Sequence, residues 1–466
     1  MLVYLFCYGA GMLFASSAHY YMSGASLLMA AVYLYVYDYR RTGNPLHLRA
    51  LFSLFWVGGQ GISCFKLSRL QTDWEAVTWA CFFVALAAFW TAFEFAQRAW
   101  TGRRKTAAVK GAKAWWRRRP QEGTGPQEVT GSQEGAAAGS GYETGLFTAI
   151  LLLTAISFGA FLLEAAVLGY VPFFLRGVPH AYSYFHISGV HYFTVSCVLV
   201  PSMAVIYFLK CRGAGRRKKF FAAAASALAV MIPVLCVSRF QLIFAVILAV
   251  LTFMQISGKK KIRYLFWAAA ALLPLYVVLT VARSHDVAYL NGIFEMKNEN
   301  TPIFITQPYM YIANNYDNFN CLVRELPAHA CGMKGLFPLW ALTGLKFLKP
   351  ELAAYPIYTT KEELTTVTLF YDAYYDFGTA GVFFFAAVLG IFAAWLMKKA
   401  SGSENPFWQL FYAQTAMYFM LSFFTTWYSN PATWFYFAAT GAAAVYVEII
   451  KKTKDSGGKQ LWYQKK

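Results

Sequence analysis

KCRGAGRRKKFFAAAASALAVMIPVLCVSRFQLIFAVILAVLTFMQISGKKKIR (residues 210–263) is the stretch on which the fold turns. Two apolar runs, near 220–237 and 240–257, meet at Ser238 and Arg239 and are bounded on their far sides by clusters of lysine and arginine. Each run is long enough to cross roughly 30 Å of hydrocarbon as a helix, and a helix keeps every backbone polar group satisfied there. The basic clusters fall on the same side of both runs, which the positive-inside rule makes cytoplasmic. Arg239 then stands at the opposite, exterior face, where topology does not require a cation.

Working outward, the alternation continues through the whole chain. Apolar spans are predicted near 2–18, 23–38, 50–67, 76–97, 145–169, 187–209, 220–237, 240–257, 264–282, 378–397, 406–426 and 432–450, about twelve in all, with both termini cytoplasmic. Roughly three quarters of the 41 lysines and arginines then lie on one face. Composition agrees: of 466 residues 58% are hydrophobic, 19% aromatic and 14% charged, more apolar surface than one soluble core can hide. The net charge of +19 is divided into short clusters beside apolar spans, which fits anionic lipid headgroups and requires no nucleic acid. The expected fold is an all-α polytopic membrane protein.

The spans divide the chain into N-terminal transmembrane helices (1–97), a basic and low-complexity cytoplasmic loop (98–144), central transmembrane helices (145–283), a large extracytoplasmic loop (284–377), C-terminal transmembrane helices (378–450) and a basic tail (451–466). The 98–144 loop opens on WWRRR and a basic run and then becomes a Gly, Gln, Glu and Ser mixture too polar to build a core, so it is predicted disordered. The exterior loop is rich in Tyr, Phe, Pro and Asn. Within it GLFPLWALTGLKFL (335–348) has apolar residues at helical spacing and is predicted to lie on the outer leaflet. Cys321 and Cys331, ten positions apart in the oxidising compartment, are predicted to form a disulfide; their alternative is two buried thiols. The remaining cysteines show no metal-binding spacing.

An arginine within or beside hydrocarbon must snorkel, pair or serve a function. Arg239 and Arg283 end two helices on the exterior side, and Arg176 and Arg324 lie in exterior loops. Guanidinium suits phosphate because its planar fork donates two parallel hydrogen bonds and stays ionised. The exterior order VPFFLRG, LCVSRFQLIFAVI, ARSHD, PYMYIANNYDNF and TLFYDAYYDFGTAGVFFFAAVLG, from about Tyr170 to Trp395, resembles the oligosaccharide repeat-unit polymerases, the Wzy-type O-antigen and capsule polymerases. That resemblance implies a GT-C-like membrane glycosyltransferase of a bacterial inner membrane. It would move a growing glycan from undecaprenyl diphosphate onto the terminal sugar of another lipid-linked repeat unit, with a chain-length regulator as a further partner.

Such a reaction needs cations for the diphosphate and a base for the acceptor hydroxyl. Arg239 and Arg283 are the first choices for the former, with Arg176 and Arg324 behind them. Asp317, His186, His191 and Asp286 are the candidates for the base, and Tyr311, Asn315, Tyr316 and Asn318 suit sugar hydroxyls and ring faces, although clustered Asn and Tyr also build ordinary loops. The histidines read equally as interface residues. Asp376 opens D-F-G-x-x-G, which reads as a helix cap with Gly378 and Gly381 permitting close helix approach. No acidic residue lies between His19 and Met22, so metal-independent chemistry without a cofactor is expected, although Asp372 and Asp376, at i and i+4, have the spacing to share a cation. Three other readings stand beside the polymerase: an O-antigen ligase, a flippase or other transporter, whose halves should look alike, and a structural scaffold, which would leave the exterior arginines without a purpose.

Overall fold

In the computed structural model the described residues are 1–115, 140–175, 181–258 and 287–464, with scattered positions between 261 and 270. They are all helix and loop, and the isolated bridge between Ser68 and Met296 is the one strand-like pairing among them. Among the described residues seven helices are long and apolar enough to cross a membrane: Ala76–Trp100, Gly141–Leu168, Val190–Lys210, Arg216–Leu235, Arg239–Ser257, Tyr371–Gly402 and Pro431–Lys454. The protein is membrane-embedded. Leu2–Ser16, Leu48–Ser63 and Phe407–Met420 are shorter helices at predicted spans, and Tyr20–Thr42 is long but more polar. Most of the predicted ninth span, 264–282, lies outside the described residues.

The helices form two joined groups. Leu2–Ser16, Tyr20–Thr42 and Leu48–Ser63 pack in chain order, and Ala76–Trp115 lies along Tyr371–Gly402. Gly390 allows that approach, since a Cβ there would sit 2.4 Å from the Phe89 carbonyl oxygen. Ser140–Leu168 carries the second group, with Arg216–Leu235 and Pro431–Gln464 against it, while Phe407–Met420 touches Leu48–Ser63 on one side and Arg239–Ser257 on the other. The predicted hairpin at Ser238 is present, its turn closed by Val237 at φ +53°.

Four expectations are corrected. The basic half of the supposed disordered loop continues the Ala76 helix as far as Trp115, because its Ala, Lys and Arg are good helix formers; residues 116–139 lie outside the described set. The last helix likewise runs through the supposed tail to Gln464. In the large loop, the segment holding ANNYDNF is a 23-residue helix, Ile303–Glu325, buried over much of its length. The amphipathic helix predicted over 335–348 is broken at Gly344 (φ +77°) into Phe337–Leu342 and Leu345–Leu348. Leu336, Leu339, Phe347 and Leu348 nonetheless remain exposed, as a leaflet-facing surface requires.

Candidate functional site

One end of the bundle, the loop end, bears residues 287–370, and the opposite, basic end bears the lysine and arginine clusters. The kinked helix Tyr371–Gly402 organises the loop end. Helical geometry fails at Phe377 and Gly378, where Gly378 takes φ +60° and ψ −148°, a region open essentially to glycine. The break frees carbonyls that the loop 329–335 takes up: Ala330 N–H donates to the Tyr375 oxygen and Cys331 N–H to that of Asp376, both at 3.1 Å. The Asp376 carboxylate in turn accepts from the N–H groups of Lys334 (3.0 Å) and Gly335 (2.7 Å). Asp376 therefore caps a loop from another part of the chain rather than its own helix. The Lys334 ammonium lies 3.6 Å from Asp372, and 5.3 Å from the Tyr375 ring centre.

Beyond the kink an apolar groove of about 1020 Å³ follows the same helix from Asp376 to Leu396. Twenty helical residues span about 30 Å, the thickness of the hydrocarbon layer. Its walls are aromatic: Phe384, Phe392, Trp395, Trp408, Phe411 and Trp434 among others. Phe384 and Val388 are 67% and 60% exposed, so the groove opens sideways toward lipid. Its polar lining, Asp376 and Ser429, sits at the loop end, and no arginine among the described residues lines it.

A second feature at the loop end was not anticipated. Glu164, within the apolar span of Ser140–Leu168, is fully buried. Its carboxylate accepts from Ile187 N–H (2.9 Å) and the Thr194 hydroxyl (2.7 Å), and faces Nδ1 of His191 at 3.1 and 3.2 Å. A carboxylate so placed assigns the imidazole proton to Nδ1 and leaves Nε2 as an acceptor. His191 is 29% exposed and His186, exposed, lies 6.2 Å from it ring to ring. The signal was in the sequence: a lone acidic residue in FLLEAAVL, since an ionisable group within a span marks a functional position by default.

The other predicted residues fall out as follows. Arg239 is 6% exposed at the first turn of its helix, and the adjoining Phe240 stacks on Phe424 and Trp427 in the turn whose Tyr428 and Ser429 line the groove. Arg176, Arg283 and Asp286 lie outside the described residues. Arg324 gives its guanidinium to Glu325 at 2.7 Å, and that hydrogen bond raises its pKa above the ordinary arginine value. The expected gathering of arginines in one cavity is thus not found among the described residues.

Asp317 is corrected from base to structural anchor. It is 1% exposed and is held by Lys66 Nζ (2.6 Å), Ser63 Oγ (3.1 Å), Gln71 Nε2 (2.7 Å) and Trp74 Nε1 (3.0 Å). Asn315 bridges the carbonyls of Tyr311 and Phe423 and accepts from Thr366; Asn318 bridges Leu364 and Thr366; Tyr316 donates to the Trp56 carbonyl. Asn315 and Asn318 thus tie the helix to residues 364–366 and 423, Tyr316 ties it to Trp56, and all three are buried, whereas Tyr311 is 36% exposed beside Phe424. Cys321 and Cys331 form no disulfide: both are free, the first buried in the Ile303–Glu325 helix and the second exposed at the helix break. Burial pushes the Cys321 thiol up to about 11.

No protein-family model, curated protein or solved structure matches the chain. The arrangement itself supplies a membrane-length apolar slot with a polar mouth, and an oriented imidazole at the same end of the bundle.

Proposed function

We propose that the protein is a GT-C-like membrane glycosyltransferase of about twelve spans that joins undecaprenyl-diphosphate-linked oligosaccharide repeat units at the extracytoplasmic face of a bacterial inner membrane. The observation that carries this reading is the groove: a polyprenyl tail needs an aromatic-walled slot open to lipid along its length, and its polar head must emerge where polar groups begin. The residues at the mouth divide the work. Asp372 and Asp376, with Lys334, are net acidic and suit sugar hydroxyls better than phosphate. The diphosphate falls to Arg239, across the 421–430 turn, with Arg283 and Arg176 as the further cations the sequence reading offers. His191, oriented by Glu164, takes the proton of the acceptor hydroxyl, and the leaving diphosphate departs as its own anion stabilised by guanidinium.

The test is the lipid-linked oligosaccharide profile of a deletion strain complemented with variants. Deletion should leave single repeat units on the carrier and no long chains. Ala380→Trp, which fills the groove, and Arg239→Ala should reproduce that state. Whole units trapped inside the cell would favour a flippase, and normal polymer length in the groove variant would defeat the assignment.

A further inference from the structure

At the basic end the groove stops at Trp395 and Trp408, which meet edge to face at 5.5 Å. The same two rings form the roof of a separate pocket of about 420 Å³, completed by Trp100, Lys398, Lys399, Gly402 and Ser403. Lys398 Nζ sits 5.3 Å above the Trp100 ring and Lys399 Nζ 5.8 Å above that of Trp408. Neither ammonium has an ion pair among the described residues, so the indoles hold two cations whose hydrogen-bond donors point to no protein anion.

We propose that this pocket is a binding site for an anionic phospholipid of the inner leaflet, independent of the reaction at the loop end. The phosphate rests between Lys398 and Lys399, the glycerol backbone lies against the indole edges of Trp100 and Trp408, and the acyl chains run along the lipid-exposed face of the kinked helix. Four observations select this occupant. The charge is positive and opposed by no carboxylate in the lining; three tryptophans surround it, as at a membrane interface; it adjoins apolar surface on the membrane side; and it lies at the end where the basic clusters gather. The Trp395–Trp408 pair separates it from the slot above, so both can be filled at once. A free phosphate would use the lysines but gain nothing from the apolar side.

The experiment is native mass spectrometry of the full chain from mixed micelles containing phosphatidylglycerol and phosphatidylcholine, with inorganic phosphate as a parallel arm. Wild type should retain phosphatidylglycerol in preference to phosphatidylcholine. Lys398→Gln with Lys399→Gln should weaken that retention about twenty-five-fold, roughly fivefold per lysine. Arg40→Gln with Arg216→Gln, basic residues elsewhere on the same end, should leave it unchanged. Equal retention by the lysine variant, an equal loss in the arginine control, or equal stabilisation by inorganic phosphate alone would each overturn the site. Circular dichroism of the variants separates lost binding from lost folding, and Lys398→Arg with Lys399→Arg, which keeps both charges, should retain the lipid.

Discussion

At the scale of single residues, burial decides which of the chemically able groups are free to act. Asp317 and His191 have the same nominal credentials in the sequence, but four donors enclose the first while the second is held through Nδ1 alone and stays 29% exposed. Asp317→Ala should therefore cost about 3–5 kcal/mol of stability by stranding Lys66, read as a lower thermal midpoint in detergent. His191→Gln should instead leave the midpoint within a degree or two and, on the proposed function, lower polymer formation about a hundredfold. The reverse pattern would exchange their roles. His47, 2% exposed near the basic end, behaves differently again, because burial pushes its imidazole down to about 4 from 6.5. The unfolded chain takes up a proton as the pH falls through 6.5 while the folded one does not until about 4. The stability associated with neutral His47 is thus complete above 6.5 and is lost across that window, by about 3 kcal/mol at its lower limit. His47→Phe should flatten the acid side of a plot of thermal midpoint against pH.

Among elements, the kinked helix shows how local and tertiary demands are reconciled. A continuous helix would leave the loop 329–335 without partners; the break at Gly378 exposes carbonyls for it, and His329 closes over the gap, since a Cβ on Gly378 would lie 3.1 Å from its Nε2. Gly378→Ala should destabilise the protein by about 1–3 kcal/mol and loosen the loop, measured as faster amide exchange at residues 329–335. The apolar helices were legible because membrane spans announce themselves by length and composition alone. The Ile303–Glu325 helix was not, because its Asn, Tyr and Asp read as polar loop chemistry when their partners, at Trp56, Phe423 and Leu364, lie far away in sequence. Glu164 is obscure for the converse reason: a single acidic residue in an otherwise apolar span leaves the hydropathy signal intact, and its partners, Ile187, His191 and Thr194, lie on the other side of a loop.

For the whole molecule, sequence spacing located the ends of the helices far better than the grouping of their side chains. Hydropathy cannot say that residues 329–335 fold onto residue 376, nor that three helices leave a slot between them. The predicted topology places the loop end outside the cell, so a membrane-impermeant maleimide added to intact cells should label Cys331 and leave the buried, weakly acidic Cys321 unmodified; labelling of both, or of neither, would reverse the assignment or the burial. One contact also governs how the protein is made. Lys66 finds its counter-charge 251 positions later, at Asp317. At the usual pace of synthesis, about 5–20 residues per second, the first helices wait on the order of tens of seconds with that cation unanswered. The nascent chain therefore emerges into the bilayer with an unfinished seam that water, lipid phosphate or an insertion factor must cover, and variants that slow translation between these two positions should be degraded faster than wild type.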